Sequence, residues 1–97
     1  MTVRVLALTS VNPNDTESLS IYMATTSPLM ERANAKILTS YAIAETIVGD
    51  AMPATVTIVE YPDMNAVQSV FQSSEYGLLK EIRAKAFTTY RIGVLDT

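Results

Sequence analysis

Residues 56–91 read VTIVEYPDMNAVQSVFQSSEYGLLKEIRAKAFTTYR and limit the fold more than any other stretch of the chain. An apolar, β-prone run ends at Glu60-Tyr61-Pro62-Asp63, and Asp63 is a good N-cap for a helix. Met64, Val67, Val70 and Phe71 then recur at the spacing of one buried helical stripe. A second helix start follows at Ser73-Ser74-Glu75-Tyr76, with Tyr76, Leu79, Ile82 and Phe87 as the residues it buries. Arg83 lies seven residues after Tyr76, nearly two helical turns, which places a cation on the apolar side. A strand end, a helix start and a buried charge therefore converge on one small space.

The rest of the chain supplies the partners. Val3 to Thr9 reads as a first strand. The turn Asn12-Pro13-Asn14-Asp15 leads into a helix that Asn14 is placed to cap, with Glu17 three residues on to reach back. Leu19, Tyr22 and Met23 share a face of that helix, and Pro28 is expected to break or kink it, because proline has no N–H and clashes with the preceding turn. Leu29, Met30 and Ala33 suggest a further turn beyond the break. Ala35 to Val48 reads as a long second strand, ended by Gly49-Asp50-Ala51-Met52-Pro53. Ala54 to Tyr61 is the third strand and Tyr90 to Leu95 the fourth. The order is βαββαβ with an extra helix before the last strand. It predicts one α+β domain over residues 1–97, an antiparallel sheet with helices on one face.

Such a sheet should be wet on its second face, with clean alternation along each strand. These strands do not alternate cleanly. Val3, Val5 and Ala7 occupy one side of the first strand, and Leu6 and Leu8 the other; Val56 and Ile58 oppose Val59 and Tyr61 in the third. The second apolar face needs a cover that 97 residues cannot supply. A second copy is the simplest cover, so the chain is expected to be a homodimer joined sheet to sheet.

Composition narrows the chemistry. The chain has no cysteine and no histidine, which removes disulfides, thiolate nucleophiles, a Ser-His-Asp triad and the commonest zinc and haem ligands. No carboxylate cluster has metal-binding spacing and there is no glycine-rich phosphate loop, so no metal or cofactor is expected. A net charge of −3 without a basic cluster argues against nucleic acid. No apolar run is long enough for a membrane span and no signal peptide is evident, so the expected location is cytoplasmic. A small or apolar molecule, or another protein, remains as partner.

The candidate ligand-binding residues are Arg83, Tyr76, Tyr22, Glu60 and Tyr61. A guanidinium on an apolar stripe must find acceptors, either a ligand's carboxylate or carbonyl, or a structural partner such as Glu60. Glu60, at the end of the third strand, is a candidate base or that counter-ion. The tyrosines pair an apolar body with a polar tip, which suits pocket walls as well as packing. Tyr22 and Tyr76 are placed to meet across a cavity beneath the helices.

The motif Glu60-Tyr61-Pro62, Met64, Ser73, Glu75, Tyr76 and Arg83, with Gly49-Asp50 before the third strand, resembles the bacterial family called domain of unknown function 1330. Ser74 stands where that family usually has proline, and Asn34-Ala35 where it usually has a Gly-Gly turn. The resemblance implies a ferredoxin-like dimeric α/β barrel. It implies no agreed reaction, since related barrels include cofactor-independent monooxygenases, isomerases and cyclases acting on small organic molecules. The residues leave open a non-catalytic binding protein and an enzyme of that type.

Overall fold

The computed structural model describes residues 2–96. The chain runs β1 (Val3–Val11), α1 (Thr16–Arg32), β2 (Lys36–Ala42), β3 (Thr55–Tyr61), α2 (Met64–Phe71), α3 (Ser74–Gly77), α4 (Lys80–Ala86) and β4 (Phe87–Val94). The strands form one antiparallel sheet in the order β2-β3-β1-β4, and the sheet is open rather than closed on itself. This is the ferredoxin-like α+β arrangement that the βαββαβ order predicts. The two central strands, β1 and β3, are neighbours in the sheet and pair Val5 with Val59 and Val3 with Tyr61. These side chains face the helices and form the core with Tyr22, Leu29, Val67, Val70, Tyr76 and Leu79.

Helix α1 is capped by Asp15, not Asn14. The Asp15 carboxylate accepts from the Ser18 N–H at 3.0 Å and from the Ser18 hydroxyl at 2.8 Å. Asn14 lies one residue earlier, in a turn where its N–H donates to the Asn12 side chain at 3.0 Å. Hydrogen bonding to Ser18 holds the Asp15 carboxyl below the usual range. Pro28 does not break the helix, which is continuous for 17 residues. Just before Pro28, the Thr25 and Thr26 hydroxyls bond back to the Ile21 and Tyr22 carbonyls, each at 3.0 Å. Ser18, Tyr22, Thr26 and Leu29 form the buried face on both sides of the proline. That face anchors the helix to the core and offsets the lost backbone bond.

Strand β2 stops at Ala42, six residues short of Val48 as read from the sequence. Its partner β3 begins at Thr55, opposite Ala42, and past Ile43 no ladder remains. Pro53 has no N–H to give, and Gly49 takes a left-handed φ of 91° that turns the chain away. A register shift at Leu38 places Ile37 beside Val59 on the helix side but Thr39 beside Ile58 on the outer side. The simple alternation of Ile37, Thr39 and Tyr41 therefore fails there. Asn34 takes φ 58° in the α1–β2 turn, the conformation a glycine would adopt more freely.

Phe87 does not continue the last helix. It is extended, with φ −127° and ψ 139°, and already pairs with Val11 in β4. Asn12 fixes this corner: its N–H donates to the Ala86 carbonyl at 2.8 Å, and its side-chain amide donates to the Lys85 carbonyl at 3.0 Å. The last carbonyls of α4 are thus satisfied, and β4 leaves at a set angle. Tyr90 and Ile92 consequently face the helices, opposite Thr9 and Ala7. Among the described residues no helix is long and apolar enough to cross a membrane.

Candidate functional site

Between the sheet and α1 lies a cavity of about 380 Å³, within the range of small-molecule sites. Its floor is the helix-facing row of the sheet, including Val5, Ala7, Val59 and Ile92, and Leu19 and Phe71 close it from above. Exposed Val11, Met23 and Ile37 rim its mouth. The walls are mostly apolar, with Thr9, Thr55 and Thr57 among the sheet residues that line it and a polar end built from tyrosines.

Tyr90 is the centre of that end. Its hydroxyl lies 2.5 Å from the Tyr22 hydroxyl on α1 and 2.5 Å from the Tyr76 hydroxyl on α3. The Arg83 guanidinium on α4 donates from Nη1 to the Tyr76 hydroxyl at 3.0 Å. Four elements therefore contribute to one continuous row, Arg83–Tyr76–Tyr90–Tyr22. The rings are held by edge-on contacts, with Tyr22 to Phe87 at 5.1 Å and Phe71 to Tyr76 at 5.2 Å between centroids.

The guanidinium sits 5.4 Å from the Tyr76 ring centroid and 5.1 Å from that of Tyr90, close enough for cation–π attraction. It faces a second cavity of about 400 Å³ that shares Val5, Phe71, Tyr90 and Ile92 with the first. The tyrosine row thus crosses a wall common to both cavities. Burial pushes Tyr22 and Tyr90 far above the ordinary tyrosine range, so these two hydroxyls keep their protons at pH 7. Burial works against the charge on Arg83, but the Tyr76 hydrogen bond and the neighbouring tyrosines outweigh it and raise the guanidinium further.

Arg83, Tyr76 and Tyr22 are thus brought together. Glu60 is not with them. It points from the outer face of β3 and pairs with Arg4 on the adjacent strand at 3.5 Å. The Arg83–Glu60 pair weighed from the sequence is corrected by this geometry: Glu60 shares the face of Val56 and Ile58, and that face turns away from the helices. Arg83 has no carboxylate partner among the described residues; the ion pairs there are Arg4–Glu60 and Arg32–Glu75. Tyr61 is buried on the helix side, lines the cavity and tilts against Phe71 at 6.5 Å, but stands outside the row. Burial raises its hydroxyl as well. Tyr90 is the residue the sequence reading missed. Its signal was the alternation Tyr90, Ile92 on the inner side of β4. No group of three or more metal-ligating side chains occurs among the described residues.

The chain matches the family described as "Domain of unknown function (DUF1330)" over residues 4–95, and it belongs to that family. No curated protein matches it. Solved structures show the same fold. A protein of unknown function from Rhodopseudomonas palustris is similar at a TM-score of 0.79 and 21% identity, over 99% of this chain and 82% of that one. SnoaB, a cofactor-independent oxygenase from Streptomyces nogalater, is similar at 0.60 and 15% identity, over 99% and 92% respectively. A Mycobacterium tuberculosis protein is similar at 0.57 and 18% identity, over 100% and 95%.

Proposed function

We propose that this member of the family binds a small, largely apolar molecule carrying a carbonyl, hydroxyl or carboxylate oxygen, with the apolar body in the cavity under α1 and the oxygen at the tyrosine row. The observation that carries this reading is an arginine with no carboxylate partner among the described residues, joined through three hydroxyls to a mostly apolar cavity. Arg83 is partly buried, and a ligand oxygen reached through the row would gain from charge-assisted hydrogen bonding. Its coupling to a ligand-sized space supports a binding role. Calorimetry with 2-naphthol and naphthalene tests the reading. The naphthol is expected to bind measurably more tightly, and Arg83→Met to remove most of the difference. Equal binding of the two, or failure of both to bind, contradicts it.

The working unit of this reading is a homodimer. Leu6, Leu8, Val56 and Ile58 form an apolar patch on the outer face, only partly covered, while the helices pack on the other side. Stable interfaces bury about 800 Å² per partner around an apolar centre, which a four-stranded face can supply. Light scattering should give twice the 10.6 kDa chain mass, and Ile58→Glu should shift it toward one.

A second reading, a cofactor-independent enzyme of the monooxygenase, isomerase or cyclase type, is favoured by the neutral donors of the row. Fixed O–H groups in an apolar cavity stabilise developing charge on a substrate oxygen. Sharing a fold with SnoaB is consistent with this but says nothing of the reaction. Turnover of a dihydroxynaphthalene in air that Tyr22→Phe abolishes would favour it over simple binding.

A further inference from the structure

The three hydroxyls of the row carry three protons, and the two contacts between them consume two. One proton is always left to donate outward. Its position follows from the electrostatics. Arg83 donates to Tyr76, so the Tyr76 oxygen turns a lone pair toward the cation and its proton away, toward Tyr90. Tyr90 then passes its own proton toward Tyr22, and the spare O–H is that of Tyr22. The reverse orientation would turn the spare proton toward the guanidinium end of the row. Of these residues, Tyr22 and Tyr90 line the cavity under α1, whereas Tyr76 and Arg83 line the cavity beyond the shared wall.

We infer that the row is a polarised donor chain, ending in the Tyr22 hydroxyl, which makes the cavity under α1 select an acidic phenol or enol and bind it as the anion. This rests on the binding reading above and narrows its ligand class. The apolar walls accept the ring or chain, and Tyr22 supplies one donor for the single charged oxygen. Hydrogen bonds to an ionised acceptor are shorter and about twice as strong as neutral ones. An acidic phenol, whose negative charge is spread over its ring, incurs less of the burial penalty that raises Tyr22 and Tyr90 here. Chains of hydrogen bonds also polarise one another, so the Arg83 charge strengthens the Tyr22 donor without touching the ligand. Arg83 and Tyr90 are positioning residues here. A protonated amine, which has no lone pair, gains nothing from the Tyr22 donor.

The experiment titrates 4-nitrophenol, whose phenolate absorbs in the visible, free and with excess protein. The bound probe should ionise about one pH unit lower than the free probe, equivalent to roughly tenfold tighter binding of the phenolate. Tyr90→Phe cuts the chain in the middle and keeps the ring packing, so it should remove most of the shift while the probe still binds. Tyr22→Phe removes only the terminal donor and should do the same, which gives the reading if Tyr90→Phe fails to fold. Glu60→Gln, on the opposite face, should leave the shift intact. A bound probe with an unchanged or raised pKa overturns the inference but not the binding reading. So does a lowered pKa that survives both tyrosine substitutions, since the charge would then act without the row. If neither 4-nitrophenol nor 2-naphthol binds, the inference and the reading beneath it both fail.

Discussion

The hydroxyls of Tyr22 and Tyr90, 68 residues apart in sequence, lie 2.5 Å from each other and tie the first helix to the last strand. Tyr90 also bonds Tyr76, so removing its hydroxyl leaves two others without that partner. Tyr90→Phe should cost about 1–3 kcal/mol, the penalty of leaving a buried hydroxyl unsatisfied. Tyr22→Phe should cost less, because Tyr90 keeps its bond to Tyr76. Urea midpoints of the two variants check the order, and a Tyr22→Phe protein less stable than Tyr90→Phe would contradict a row centred on Tyr90.

Alkaline pH should weaken the fold through the same groups. Burial raises Tyr22, Tyr61 and Tyr90 above their unfolded values of about 10. Their contribution is fully present below about pH 10. Above it the unfolded chain sheds protons that the native protein keeps, so stability falls as pH rises. Denaturant titrations on either side of that value should show this loss, with a shallower slope for Tyr90→Phe. Stability that stays flat into the alkaline range, with phenolate absorbance appearing in the folded protein, would contradict it.

Glu60 and Arg83 should behave independently. Glu60→Gln breaks a partly exposed cross-strand pair with Arg4, worth roughly 0–1 kcal/mol, and should not change ligand affinity. Arg83→Met should weaken binding of 2-naphthol and leave a folded protein, because its aliphatic stem is kept. Calorimetry on both variants and on the double variant should give additive effects.

Pro28 is exposed within α1 and stands where an N–H would otherwise extend the helix ladder. Pro28→Ala should stabilise the protein by roughly 2 kcal/mol, the helix penalty of proline less its benefit in the unfolded chain. Thermal unfolding measures the gain. A loss would show that the proline shapes the helix for packing.

The fold was legible in the sequence where two periods meet. The strand ending at Tyr61, the Asp63 cap and the buried Val67 and Val70 appear as read, because local chemistry and tertiary packing agree there, whereas Met64 at the helix start is exposed. Pro28 misled because a buried face of four side chains outweighs one missing hydrogen bond. The end of β2 misled because Ile43 to Val48 are β-prone but have no strand to pair with, which only β3's start at Thr55 reveals. In the site, Arg83 and Tyr76 were visible from their spacing, although two short helices carry them rather than one. The outward side of Glu60 and the centrality of Tyr90 depended on sheet register across β1, which the spacing of a single strand does not encode.

The central claim is that the cavity under α1 holds an oxygen-bearing apolar molecule against Tyr22. A crystal structure of the protein soaked with 2-naphthol measures it most directly. The account predicts the naphthol rings between Val5, Val59 and Phe71, with the oxygen about 3 Å from the Tyr22 hydroxyl. A cavity without the probe, or a probe whose oxygen points to the mouth rimmed by Val11, Met23 and Ile37, would contradict it.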